Sequence, residues 1–296
     1  MKIITVTLNT AVDVTVEENE YMESGLKTAT ETAAGKGINV SRALSCAAIP
    51  SIAVAMVGRE DIQMFENIGN EYIKPVLIPV AGSTRRNITL THCSDGKEHH
   101  TREKGFSVTT EDLDKVTKIL SDTVNECDFV AFSGSLPVGA PDDTYEDMIM
   151  LCKKQGAKVI LDTSGKPLIK GIGAGPYLIK PNLEELFEIT GNDLSNTDSI
   201  EKAVKDISGQ HNISYILTTL SEDGAVLYCL ENDRTLKIQA TELTQEIVSS
   251  VGCGDCTVAG YLAGIVNGMD IKKTLSEAMR FANANLYTAV PGEINL

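Results

Sequence analysis

From about residue 110 onward the chain alternates between helical and extended patterns, and no other feature narrows its fold so far. Apolar residues at helical spacing predict helices over 110–122, 141–154, 182–189, 198–209, 254–267 and 271–288. Short apolar runs between them predict strands over 128–132, 157–161, 177–180 and 214–219, with a hairpin at 225–230 and 235–239. Strands that take turns with helices form a mostly parallel sheet covered on both faces, and ligands sit beyond the carboxyl ends of its strands.

The first hundred residues add a strand at 2–8, a helix opened by Gly35, Lys36 and Gly37, and a strand at 52–57 closed by Gly58. Residues 84–104 read differently. Alternation from Arg86 to His92, a turn at Ser94, Asp95 and Gly96, and a charged return from Lys97 to Lys104 predict a hairpin with little to bury. With 12–32 it forms a β-rich piece that looks like a lid. The expectation is one α/β domain over 1–296 with a discontinuous lid at about 12–32 and 84–105.

Charge excludes some partners. The net charge of −15, from 26 basic and 41 acidic residues, argues against nucleic acid and anionic membranes. A phosphate ligand must then be met by a few local cations. The 7 cysteines are scattered and odd in number, and the chain opens on a strand and not on a secretion signal, so disulfides are not expected and a cytoplasmic location is. Cys253 and Cys256 are spaced as C-x-x-C, but a second ligand pair is lacking and His92, His99, His100 and His211 all lie far along the chain.

The stretch Ser249-Ser250-Val251-Gly252-Cys253-Gly254-Asp255-Cys256 reads as a glycine turn opening a helix, where several backbone N–H groups converge on the positive end of the helix dipole. A carboxylate would repel a bound anion. It makes sense if Asp255 accepts a proton from a hydroxyl while the amides of residues 252 to 255 hold a transferring phosphoryl group. Asp255 as an ordinary helix cap is the plainer alternative. Polar clusters also close the strands: Asn9 and Asp13, Ser133 to Pro137, Asp162 to Gly165, Lys180 to Glu185, and Thr218 to Gly224. Each alone is a turn or a cap, but five strands delivering polar residues to one edge build an active site.

Taken in order, Asn9 and Asp13, Gly35-Lys36-Gly37-Ile38-Asn39-Val40, Ser133 to Pro137, Asp162 to Gly165, Lys180-Pro181-Asn182 with Glu185, and Gly252 with Gly254-Asp255 resemble the ribokinase-like (PfkB) carbohydrate kinases over essentially the whole chain. The branch they are most similar to contains tagatose-6-phosphate kinase and 1-phosphofructokinase. The resemblance implies a ribokinase-like three-layer fold with a β lid, and transfer of a phosphoryl group from ATP to a ketohexose phosphate. It implies Asp255 as general base, with the Gly252, Cys253 and Gly254 amides as anion hole. Lys180, Asn182, Glu185, Thr219, Ser221 and Gly224 would border the nucleotide, with Asn182 and Glu185 organising Mg²⁺, Glu185 through water. Asp13, Gly35, Lys36, Gly37, Asn39 and Ser133 would hold the sugar, with Lys36, Arg85 and Arg102 meeting its phosphate. A homodimer paired through the lids is implied as well.

Departures from the family pattern are Thr10 for a proline, which loosens that turn, Cys253 and Cys256 beside the Asp, and Ser221 for a glycine. A thiol at a helix N-terminus can have a lowered pKa, which predicts that oxidation or alkylation of Cys253 or Cys256 inactivates the protein. Two other readings stay open: a kinase of the same fold acting on an unphosphorylated sugar or nucleoside, and a non-catalytic sugar-phosphate sensor.

Overall fold

The computed structural model describes residues 1–18, 27–91, 99–192, 194–240 and 245–296. In chain order the elements begin with β1 (Ile3–Thr7), β2 (Ala11–Glu18), β3 (Lys27–Ala34), α1 (Lys36–Cys46), β4 (Ser51–Gly58), α2 (Ile62–Glu66), β5 (Ile73–Val80), β6 (Arg85–Thr91) and β7 (His99–Arg102). The regular part follows with α3 (Thr110–Thr123), β8 (Phe129–Ser133), α4 (Thr144–Lys154), β9 (Lys158–Asp162), α5 (Gly165–Gly173), β10 (Leu178–Ile179), α6 (Leu183–Thr190) and α7 (Thr197–His211). It closes with β11 (Tyr215–Thr219), β12 (Ala225–Cys229), β13 (Arg234–Ile238), α8 (Cys253–Val266) and α9 (Ile271–Asn285).

Nine strands make one sheet in the order β13-β12-β11-β10-β9-β8-β1-β4-β5. All neighbours from β11 to β5 pair in parallel, and β12 and β13 close one edge as an antiparallel hairpin. Central strands are buried on both faces, so their sequences are largely apolar instead of alternating, with only the small polar Thr5, Thr7 and Ser133 among β1 and β8. Their side chains still divide by the two-residue period of a strand. Ile4, Val6 and Phe132 join α3, α4 and α7 on one side, while Ile3, Phe129 and Ala131 join α1, α8 and α9 on the other. Helix α8 lies between sheet and α9, which is why it is apolar nearly all round.

The chain adds β4 and β5 on one side of β1, then crosses back and adds β8 to β11 on the other. The reversal opens a crevice at the carboxyl ends of β1 and β8. Asn9 spans it, donating from Nδ2 to Ser135 Oγ at 3.0 Å and to the Leu136 carbonyl at 3.3 Å.

A second sheet, ordered β3-β2-β6-β7, is rooted where β2 leaves β1. β6 runs antiparallel to β7 as the hairpin reading expects, and parallel to β2. The turn at residues 94–96 and Lys97 lie outside the described residues. Several elements differ from expectation. β5, α2 and α5 carry too short or too mixed a pattern to stand out in sequence. α4 starts at Thr144 and not 141, because the Thr144 amide and hydroxyl both close a turn onto the Pro141 carbonyl. α9 stops at Asn285, whose side chain is taken up elsewhere. Among the described residues no helix is long and apolar enough to cross a membrane.

Candidate active site

Gly252 caps α8 with φ of 89°, the left-handed region in which a side chain is strained, and a Cβ there would lie 2.6 Å from Pro291 Cβ. Of the amides of residues 252 to 255, that of Cys253 donates to the Ser250 carbonyl at 3.3 Å. The Gly252, Gly254 and Asp255 amides have no partner among the described residues, as the first turn of a helix leaves them. Of the amides expected to form an anion hole, those of Gly252 and Gly254 are thus open and that of Cys253 is partly engaged, with the Asp255 amide open beside them.

Asp255 is 5% exposed, and Asn39 donates from Nδ2 to its Oδ2 at 2.8 Å. Burial drives its pKa up to about 7, reinforced by the nearby Asp162 charge and opposed by Lys36, the Asn39 hydrogen bond and Lys180. A group of this kind loses and gains a proton near neutrality, as a general base must. An N-cap would accept hydrogen bonds from backbone amides, and Asp255 makes none of these; it sits inside the helix start and not before it.

Facing it is a buried carboxylate between two lysines. Asp162 is fully buried at the end of β9, with Lys180 Nζ 3.2 Å and Lys36 Nζ 3.5 Å from its Oδ1. Burial works against the charged form, but the two ammonium groups outweigh it and hold the Asp162 carboxyl below the usual carboxylate range. Asp162 in turn raises the Lys36 pKa above the ordinary lysine value. Lys36 remains 42% exposed on the crevice side, whereas Lys180 is 5% exposed. Gly35 and Gly37 let α1 start hard against β1: a Cβ on either would lie 2.7 or 2.5 Å from the Thr7 side chain. A Cβ at Gly254 would come within 3.1 Å of Lys180 Nζ, so the turn admits an ammonium beside its amides.

The small sheet supplies the other wall. Asp13, Asn87 and Arg102 sit opposite one another on β2, β6 and β7. Asn87 donates to Asp13 Oδ1 at 2.7 Å; burial nevertheless raises the Asp13 pKa, against the pull of Asn87, Arg85, Arg42 and Arg102. Arg85 donates from Nε and Nη2 to the Thr10 and Asn9 carbonyls, each at 3.3 Å, so its guanidinium also braces the turn leaving β1. Arg86 points elsewhere and forms a two-pronged pair with Asp61 at 2.7 and 3.0 Å. Arg102 is exposed. Thr10 does not loosen the turn: it is buried, and its hydroxyl donates to the Met56 carbonyl at 2.6 Å, a bond proline cannot make. Ser133 Oγ is buried at the crevice without a hydrogen-bond partner among the described residues.

On the far side Asn182 and Glu185 form a reciprocal capping box at the start of α6, with Glu185 N to Asn182 Oδ1 at 2.8 Å and Asn182 N to Glu185 Oε2 at 2.9 Å. The cap occupies the Asn182 oxygen and leaves its amide hydrogens, which suit a phosphate oxygen and not a cation. Glu185 keeps Oε1, and burial raises its pKa. Thr219 bridges to Asn182, its amide donating to the Pro181 carbonyl at 3.2 Å. Ser221 has φ of 54° and Gly224 φ of 91°, closing a tight loop in which the Leu220 amide reaches the Gly224 carbonyl. Among the described residues no group of three or more His, Cys, Asp and Glu side chains is arranged to hold a metal.

The expected thiol activation is overturned. Burial pushes both Cys253 and Cys256 above the ordinary thiol value, and Cys256 is occupied by Asn285 Oδ1 at 3.3 Å. Asn285, Arg42 and Asn87 are missed by sequence reasoning. Asn285 is fully buried and ties the glycine turn to the C-terminal segment, donating to the Val251 carbonyl at 2.7 Å and accepting from the Gly292 amide at 2.9 Å. A polar residue in the last turn of an amphipathic helix carries no local signal of such a role.

Residues 6–286 match the model of the pfkB family carbohydrate kinases. A 1-phosphofructokinase of Bacillus subtilis is 32% identical over 292 residues, covering 97% of this chain and 93% of that protein. The fold matches phosphofructokinase-2 of Escherichia coli with a TM-score of 0.87 at 19% identity, covering 99% and 94% of the two chains. It also matches an Arabidopsis thaliana ribokinase complexed with ribose and ATP, with a TM-score of 0.74 at 20% identity over 98% and 93%.

Proposed function

The chain belongs to the pfkB family of carbohydrate kinases, and from that premise we propose that it transfers the γ-phosphoryl group of ATP to a hydroxyl of a phosphorylated ketohexose, fructose 1-phosphate or tagatose 6-phosphate. The observation that carries this reading is Asp255: a buried carboxylate with a pKa near neutrality, placed beside unpartnered amides at a helix start and held by Asn39.

In this reading Asp255 accepts the proton of the attacking hydroxyl as the bond to the γ-phosphorus forms. The Gly252, Gly254 and Asp255 amides, with Lys180 beside them, meet the charge on the transferring group. Asp13 and Asn39 hold sugar hydroxyls, and Asn87 orients Asp13. Lys36 and Arg102, which face the crevice and solvent, meet the phosphate already on the sugar, with Arg85 bracing the turn between them. Thr219, Ser221 and Gly224 border the nucleotide. Mg²⁺, when bound with ATP, neutralises phosphate charge; Glu185, with Oε1 outside its cap, fits a water-mediated contact to such an ion, and the Asn182 amide fits a phosphate oxygen. The small sheet serves as a lid, and pairing of two lids in a homodimer belongs to the same proposal.

The test is ATP consumption with Mg²⁺ against fructose 1-phosphate, tagatose 6-phosphate, fructose 6-phosphate, fructose, ribose and adenosine. Turnover confined to a ketose phosphate is expected. Preference for adenosine or free ribose would contradict the reading, and binding of a sugar phosphate without turnover would make the protein a sensor.

A further inference from the structure

Arg42 lies one turn beyond Asn39 on α1, in the interior, and its nearest carboxylate is Glu293, 3.9 Å from Nε. Its donors go to oxygens from three separate parts of the chain. Nη2 donates to the Ala33 carbonyl at the end of β3 at 2.6 Å, and Nη1 to the Pro291 carbonyl at 3.0 Å and to Asn39 Oδ1 at 3.3 Å. A cation taken largely out of water, whose ion pair with the exposed Glu293 is long, is costly to keep, so its geometry needs a reason.

The reason lies in what a guanidinium cannot do. It only donates, so Asn39 must turn its carbonyl oxygen to Arg42 and its NH₂ to Asp255. With Arg42 absent, the Asn39 amide can invert and accept a hydrogen bond from a protonated Asp255, which would favour the form of Asp255 that is useless as a base. Arg42 removes that orientation. It also pins Pro291 over the glycine turn, where a Cβ at residue 252 would lie 2.6 Å from the proline, and beside Gly292, where a Cβ would lie 2.5 Å from the Asn39 carbonyl. The turn at 291–292 is thus wedged between α1 and the start of α8.

We propose that Arg42 is a positioning residue for phosphoryl transfer, fixing the Asn39 amide as a donor to Asp255 and seating the C-terminal turn against Gly252. This rests on the kinase reading with Asp255 as base. The charged and titratable groups around Asp255 are Lys36 on α1, Asp162 at the end of β9, Lys180 beyond β10, and Cys253 and Cys256 on its own helix; of these Cys256 also interacts with Arg42.

The experiment compares Arg42→Gln and Arg42→Lys with wild type, each also in an Asn39→Ala background, after thermal melting shows that the proteins are folded. Arg42→Gln is expected to lower kcat about tenfold, the size of one lost hydrogen bond, with KM for ATP unchanged and the acid limb of the pH profile moved upward. In Asn39→Ala the same change should alter kcat by less than about twofold, because the effect runs through Asn39. Arg42→Lys keeps the charge but cannot span three acceptors, and it carries the test if the glutamine variant does not fold. An equal loss in both backgrounds, or an unchanged kcat in the single variants, overturns the proposal. Failure of the kinase reading looks different, since wild type itself would then show no turnover with sugar phosphates. In that case ¹³C NMR titration of the Asp255 carboxyl still decides: an upward shift in Arg42→Gln supports the orienting role, and no shift refutes it.

Discussion

Asn39 and Asp255 are 216 residues apart in sequence and 2.8 Å apart in space, and their hydrogen bond joins the starts of α1 and α8 at the crevice. Those two helices share one face of the sheet, so the bond ties the glycine turn of α8 to the start of α1.

The first consequence is a pH dependence. The Asp255 pKa stands at about 7, and a base works only when ionised. The kcat/KM for the sugar phosphate should fall tenfold per pH unit below about pH 7 and level off above it. A profile flat down to pH 5 would contradict this assignment.

Stability should run the other way. Below about pH 4 both folded and unfolded chains hold the Asp255 proton; between about 4 and 7 only the folded chain does, so stability drains away as pH rises through that window and is constant above it. Asp255→Asn should therefore be more stable than wild type at pH 8, by on the order of a few kcal/mol, and the gap should shrink toward pH 5. Urea unfolding at pH 5, 6, 7 and 8 measures it, and a gap independent of pH would show that the carboxylate is not under strain.

The two lysines on Asp162 should separate. Lys180 is as buried as its partner, so Lys180→Met strands a charge and should cost about 3 kcal/mol of stability. Lys36 is 42% exposed, and Lys36→Met should cost under about 1 kcal/mol while raising KM for the sugar phosphate at least several-fold. Equal losses of stability in denaturant titrations would deny the distinction.

Ser221 occupies a left-handed backbone position at φ of 54°. Glycine enters that region without a Cβ clash but gives up more freedom on folding, so Ser221→Gly should stabilise the protein by roughly 0.5 kcal/mol. A loss of stability would mean that the serine side chain offsets its own strain.

Much of this was legible before any coordinates. The alternation after residue 110 carries the parallel sheet because buried strands and amphipathic helices have different periods, and Gly252, Gly254 and Asp255 declare a helix start without side chains in the way. The polar residues that end β1, β8, β9 and β10 could be placed at one edge by the parallel rule alone. What escaped were relations that only packing creates. The pKa of Asp255 depends on burial and on charges from three other strands and helices. The thiols of Cys253 and Cys256 look activated from their place at a helix start, yet burial decides against it. Arg42 and Asn285 read as ordinary helix residues, and only the C-terminal turn folding back over Gly252 shows what they hold. Thr10 looked like the loss of a proline and is a gained hydrogen bond.

In the proposed reaction Asp255 takes the proton from the acceptor hydroxyl. Single-turnover phosphoryl transfer by Asp255→Asn, with ATP and sugar-phosphate binding measured on the same protein, tests it most directly. A rate lower by roughly 10²–10⁴-fold with both ligands still bound is the predicted result. A rate within a few-fold of wild type would mean that Asp255 is not the base.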